Sequence, residues 1–380
     1  MNLEARGLIY DATRRPVTER IAFFTSLYPT STGSIFAVFQ VGPKKQAPQS
    51  NLRVCRSRDG GRTWAELPVR FETTIAGVPG SIVAGELVEA ERGRLVLIAT
   101  WFDRTDPTRP LFDPVTEGVL PSRHLIANST DDGESWTAWR ELPLRGPEGC
   151  GCTGTGPVLK WPDGTIGYPF ESYKLFNDHG PKRHGAWLAL SRDGGRTFGD
   201  PILVAQHAEQ KVFYWDQRLC TGPGADEIVG LFWTHHLGEK RDLNVNLRRF
   251  ALSKNDFRAA PIRETTIPGQ IATPLCLADG RLLAFVVDRG RPGTMTLWSS
   301  RDGGETWPES LVVHTHAERA VAMDGKANVD YAQYWEDMGK WSFGHPAIRL
   351  LSDGKVLLAW YAGAPDCMSI HWARVAVRAA

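Results

Sequence analysis

The sequence carries almost no net charge: 44 Lys and Arg face 43 Asp and Glu, leaving +1 over 380 residues. Without an excess of basic groups, nothing favours a nucleic acid or an acidic membrane surface as partner. No apolar run is long enough to cross a bilayer. The opening MNLEARGLIYDATRRPVTER has neither an apolar core nor a small-residue cleavage site, so a cytoplasmic protein is expected. Cysteine is sparse, and of Cys55, Cys150, Cys152, Cys220, Cys276 and Cys367 only Cys150 and Cys152 are close. A lone C-x-C without nearby ligands is weak ground for a metal or redox centre, so reduced thiols, no metal and no organic cofactor are expected.

Glycine (38), proline (25) and tryptophan (14) are abundant, which suits many short strands joined by tight turns. One motif recurs openly: SRDGGRTW at Ser57–Trp64, STDDGESW at Ser129–Trp136, SRDGGRTF at Ser191–Phe198 and SRDGGETW at Ser300–Trp307. A worn copy, SKNDF, runs from Ser253 to Phe257. Each copy follows an apolar stretch. A second repeat lies upstream, in GPVLKWPDGTIGYPF, TPLCLADGRLLAFV and HPAIRLLSDGKVLLAW, where an Asp-Gly hairpin turn separates two strands.

Interleaving the repeats gives four-strand units at 21–72, 80–145, 154–208, 212–266 and 270–316, with three strands in 343–377. Strand residues near Leu8–Tyr10 can supply the missing outer strand. The expectation is an all-β, six-bladed β-propeller, one domain over 1–380, with its ring closed by the N-terminal strand. The aspartates of the repeat (Asp59, Asp131, Asp193, Asp302) suit local turn chemistry, because carboxylate and serine oxygens accept backbone amides. Four copies argue for a structural role, since one active site needs no such repetition.

The pattern S-x-D-x-G-x-[TS]-[WF] resembles the bacterial neuraminidase repeat, or Asp box, of sialidases and their relatives, and the resemblance covers nearly the whole chain. It implies the propeller and a carbohydrate-active protein, with an exo-sialidase-like glycoside hydrolase as the leading expectation. That family holds the substrate carboxylate with three arginines and uses a Tyr/Glu nucleophile pair and an Asp acid/base. Here Ile21–Pro29 reads IAFFTSLYP, with no arginine where the first is expected, and SFGHPAI from Ser342 has no tyrosine. A divergent relative is implied.

The Asp-Gly and Asp-box turns mark one face of such a fold, so a site belongs at the other, where second strands end and first strands begin. That selects Trp101 and Asp103, Glu171 and Tyr173, Trp233 with His235 and His236, Asp288 and Arg289, and Tyr361 after second strands. Asp216 and Arg218, with Tyr214, and His345 lie at the starts of first strands. Glu171 and Tyr173 share one face of a strand, the arrangement in which a carboxylate activates a phenol. Arg218 and Arg289 suit a carboxylate-bearing sugar, or structural pairs with Asp216 and Asp288. Asp103 or Asp216 is the acid/base candidate. His235, His345, Asp288, Trp101 and Tyr361 complete the substrate-binding set. The insertion 103–123, with Asp106, Arg109 and Asp113, has the length of either a lid or a surface loop. Two other readings fit the same residues: a uronate lyase with Tyr173, His235 or His345 as base, and a non-catalytic glycan-binding protein.

Overall fold

The computed structural model describes residues 1–144, 146–224, 226–253, 256–290, 292–316 and 338–377. Apart from single helical turns, these form strands and loops. Lys254 and Asn255, in the worn repeat, lie outside the described residues.

Four expected units make sheets of their own. Gly80–Glu91, Arg94–Asp103, Ser122–Ser129 and Arg140–Leu142 form the second sheet in sequence order. Cys150–Gly154, Ile166–Lys174, Gly185–Ser191 and Ile202–Ala205 form the third, with Leu159–Lys160 added. Val212–Thr221, Glu227–His236, Asn246–Ser253 and Asp256–Ala259 lead the fourth, and Ala272–Cys276 to Glu309–Thr315 make the fifth.

The expected closed six-bladed propeller is corrected by the strand pairing. The described strands make five sheets, of eight, four, five, six and four strands, and none is closed. The first and last units, expected apart, share the eight-stranded sheet. Its last strand, Cys367–Ala376, meets two segments in turn: Asn2–Tyr10 pairs antiparallel with Ile370–Ala376, and Ile21 bridges Met368 in parallel. The connection between those segments is short and pinned, since Tyr10 Oη donates to Glu19 O at 2.9 Å and Met368 N to Arg20 O at 2.8 Å. It brings the strand Ile21–Pro29 onto the same sheet, a pairing that no local repeat encodes.

The four intact repeats form one hydrogen-bonded turn each. In the first, Ser57 Oγ donates to Asp59 Oδ1 at 2.8 Å and accepts from Gly61 N at 2.9 Å. Asp59 then accepts from Thr63 N (2.9 Å) and Thr63 Oγ1 (2.6 Å), and Trp64 Nε1 donates to Gly61 O at 3.0 Å. The other three repeat the serine, aspartate and hydroxyl contacts. The core lies between sheets: Phe36, Val38, Leu52 and Val54 of the first pack with Leu87, Leu97, Ala99 and Leu125 of the second. Each such Phe, Val or Leu side chain contributes about 1.5–3 kcal/mol on burial.

First strands of neighbouring units lie against one another. Ile21–Pro29 touches both Gly80–Glu91 and Phe343–Leu350, and Val212–Thr221 touches Ala272–Cys276. Their starting ends thereby converge on one cavity.

Candidate active site

Three first strands carry the same irregularity. Between Phe23 and Ser26, between Trp215 and Arg218, and between Gly344 and Ala347, two residues oppose one on the partner strand. The first extra residue is left-handed each time: Phe24 at φ 54°, Asp216 at 45° and His345 at 55°. Such angles are unusual for residues with a side chain and persist only where packing holds them. These bulges turn all three side chains into the cavity, which also takes Glu171, Tyr173, Arg218, Arg289, Tyr361, Glu86 and Lys45 into its wall. About 120 Å³ is open to water centres there; a water needs roughly 10–15 Å³ by that measure, so the space is large enough for a small molecule. Aromatic rings of Phe23, Phe102, Phe112, Trp215, Trp233 and Trp341 line it as well.

Glu171 and Tyr173 come from Ile166–Lys174, a strand buried along its whole length. Tyr173 Oη donates to Glu171 Oε2 at 2.5 Å, and Gln217 N donates to Glu171 Oε1 at 3.0 Å. Gln217 is itself fixed, its amide donating to Phe170 O and Trp187 O, both at 2.8 Å. Burial, then the negative charge of Asp216, pushes the Glu171 carboxyl up to about 8. Asp216 accepts from Arg218 Nη2 at 3.3 Å.

His345 is held neutral. Arginine only donates, so the 2.7 Å contact of Arg218 Nη2 with His345 Nε2 makes that nitrogen an acceptor. The ring proton then sits on Nδ1, facing Thr25 O at 3.2 Å. Burial and the Arg218 charge drive its basicity far below the usual range. With its lone pair engaged, His345 is not placed to act as the base of an elimination.

Arg289 is 1% exposed, and its guanidinium stacks 3.9 Å from the ring centroid of Trp341. Its Nε and Nη1 have no hydrogen-bond partner among the described residues. Lys45 reaches in from the loop after Ile35–Gly42 and donates to Met338 O (3.1 Å), Trp341 O and Tyr361 Oη (3.0 Å). Burial raises the Tyr361 phenol, but Lys45 and Arg289 outweigh it and leave it below its ordinary value.

The structure thus brings together Glu171, Tyr173, Asp216, Arg218, Arg289, His345 and Tyr361. Trp233 joins them in the wall, whereas six other candidates, Tyr214 and His236 among them, do not line the cavity. Asp103 caps its own loop, accepting from Thr105 N at 2.7 Å, and Asp288 does the same for Gly290 N at 2.8 Å. Trp101 packs over Gly80 and donates to Thr73 O at 2.7 Å. His235 is fully buried, stacked on Trp215 and 3.0 Å from Asp242. Of the 103–123 insertion, Phe102, Leu111 and Phe112 at and beside it reach the wall, whereas Asp113 caps Val115 N at 2.9 Å.

Sequence reasoning missed Glu86, Lys45, Phe24 and Trp215. A signal existed for Phe24: FFT, WDQ and GHP occupy matching places at the starts of three units, and Pro346 cannot donate to a strand ladder. Lys45 in PKKQ reads as a surface lysine, and Glu86 in GELVEA as an ordinary strand carboxylate.

No known family profile matches the chain. It is similar to a curated sialidase of Bacteroides fragilis, 25% identical over 202 residues, which are 45% of this chain and 33% of that protein. The match thus spans a third of the relative's length. Its fold is similar to that of a solved protein of unknown function from Dyadobacter fermentans, with a TM-score of 0.74, 19% identity and 99% of each chain covered. It is also similar in fold to the Hadza microbial sialidase Hz136, with a TM-score of 0.68, 15% identity, and 98% and 68% of the two chains covered. At these identities the likeness establishes the fold and leaves the chemistry to the site.

Proposed function

We propose that this protein is a sialidase-like glycoside hydrolase, a single domain over 1–380, acting on a small glycoside that bears a carboxylate. One observation carries the reading: the Tyr173–Glu171 hydrogen bond at 2.5 Å shares a cavity with Arg289, whose Nε and Nη1 have no partner among the described residues. A phenol that donates to a buried carboxylate has its proton acceptor in place. A buried guanidinium with free N–H groups suits a ligand carboxylate, because hydrogen bonds between ionised partners are the strong ones.

In this reading the reactive form has Glu171 ionised and the proton of the carboxyl pair on Asp216; Tyr173 Oη attacks the anomeric carbon and its proton passes to Glu171. The glycosidic C–O bond breaks, and the leaving oxygen takes a proton from Asp216. Water then attacks the tyrosyl-linked sugar while Asp216 accepts its proton. The C–O bond to Tyr173 breaks, and the phenolate recovers its proton from Glu171. Arg289 holds the substrate carboxylate, and the indoles of Trp215 and Trp233 offer faces for the ring.

The test is turnover of chromogenic α-sialosides, uronides and neutral glycosides by wild type, Glu171→Gln and Tyr173→Phe. An acidic glycoside is expected to be cleaved, with turnover falling at least about 100-fold in both variants. Silence across the panel, or turnover indifferent to both changes, overturns the reading. Ultraviolet-absorbing unsaturated product would instead mark elimination.

A further inference from the structure

Below the bulges, the cavity has a second polar layer that the proposed chemistry does not use. Arg218 and Ser26 stand two residues beyond Asp216 and Phe24, and Ser26 Oγ donates to Gly85 O at 3.0 Å, so the Gly85–Glu86 backbone lies at this depth. Glu86 lines the cavity, is 6% exposed, and its Oε2 has no hydrogen-bond partner among the described residues. Arg218, 2% exposed, likewise has an unpartnered Nε, and so does Thr155 at its Oγ1. Gly156, beside Thr155, approaches Glu86 so closely that a methyl there would lie 2.1 Å from Oε1. Its φ of +57° is also one that glycine adopts freely. Three strands and loops therefore deliver one free acceptor, one free donor and one hydroxyl to a common floor.

We propose that this floor is a hydroxyl-binding subsite, in which Glu86 accepts a hydrogen bond from, and Arg218 Nε donates one to, a single hydroxyl arm of the bound sugar. The inference rests on the reading of the cavity as a sugar site and adds what it recognises at its base. Buried polar atoms need partners, and a hydroxyl both donates and accepts. A carboxylate in this place would face Glu86, and a hydrogen would leave all three groups unpaired. The two arginines thereby divide their work. Arg289 faces the ligand's acid, and Arg218, already tied to Asp216 and His345, faces a neutral polar arm. Burial lifts the Glu86 carboxyl to about 7, against the charges of Arg218 and Arg349, consistent with a group that awaits a donor.

The experiment measures binding of free N-acetylneuraminic acid and glucuronic acid, each with its monodeoxy analogues, by titration calorimetry. Wild type, Glu86→Leu and Thr155→Val are compared, with Asp103→Asn as a control outside the cavity. One deoxy position of one acid is expected to bind wild type at least about 100-fold more weakly than its parent, because a site built around a hydroxyl rejects the analogue lacking it. That discrimination is expected to fall below about threefold in Glu86→Leu, to weaken in Thr155→Val and to persist in Asp103→Asn. Equal binding of every deoxy analogue by wild type, or unchanged discrimination in a folded Glu86→Leu, overturns the proposal. If hydroxyl discrimination is found while the chromogenic panel stays silent, the subsite stands and the hydrolase reading falls. If turnover is found without discrimination, the subsite alone falls.

Discussion

Replacing Glu171 by glutamine should change the pH dependence of stability more than its level. Burial and Asp216 raise the carboxyl from 4.5 to about 8 on folding. A carboxyl raised in this way binds its proton more tightly in the folded state. Its contribution is therefore fully present below the unfolded value of 4.5 and is lost as pH rises through about 8. At 1.36 kcal/mol for each tenfold change in proton affinity, the loss is on the order of 5 kcal/mol, and about 4 kcal/mol of it falls between pH 5 and pH 9. Glutamine does not titrate, so the variant escapes the loss. Glu86 and the titrating groups away from Glu171 are common to both proteins and cancel in the difference, and the repulsion from Asp216 is already counted in the Glu171 shift. The amide also leaves either Tyr173 Oη or Gln217 N facing an NH₂ group, but that penalty is the same at both pH values.

The assay is urea unfolding followed by tryptophan fluorescence, at pH 5 and at pH 9, for wild type and Glu171→Gln. Relative to wild type, the variant should gain on the order of 4 kcal/mol between the two conditions. A relative stability that moves by less than about 1 kcal/mol would refute the reasoning. It would mean that Glu171 is hydrated, or is paired with a cation, and is ionised throughout.

Two further outcomes follow from groups whose partners are local. Asp103→Asn should leave kcat/KM within about twofold of wild type, because the carboxylate serves the Thr105 amide outside the cavity; a loss beyond tenfold in the chromogenic assay would return it to the site. Asp59→Ala should lower stability by about 1–3 kcal/mol in urea unfolding, with no change in turnover, because Asp59 alone gathers Ser57 and Thr63 into the turn.

The parts of the fold legible in the sequence are those set by neighbours along the chain. Serine and aspartate spacings set the four turns, and Asp-Gly pairs with alternating apolar residues separate the strands, so the limits of four units coincide closely with sheets. The joining of the first and last units was not legible, because it rests on contacts such as Met368 to Arg20, 348 positions apart. In the site, alternation along one strand was enough to pair Glu171 with Tyr173. Asp103 and Asp288 looked equivalent to them at the ends of strands, yet an aspartate followed two residues later by a free amide also makes a turn, and there the turn prevailed. Lys45 was hidden for the opposite reason: its partners are two backbone carbonyls and a phenol almost 300 or more residues away, and carbonyls leave no trace in a sequence.

The left-handed bulges bear on how such a site can change over evolutionary time. A residue held near φ +50° sits on a backbone that aspartate, asparagine, histidine and glycine enter most readily and that valine, isoleucine and threonine avoid. At Phe24, Asp216 and His345 the backbone therefore filters which side chains can be tried, before any ligand does so. The residues that pass the filter include acids, amides and imidazoles, the groups that move protons or exchange hydrogen bonds. Three such positions facing one cavity amount to interchangeable sockets: chemistry can be replaced in any of them while the ladder on either side keeps its register. Divergence of activity on this scaffold is then expected to concentrate at the three bulges and to spare the strands that carry them.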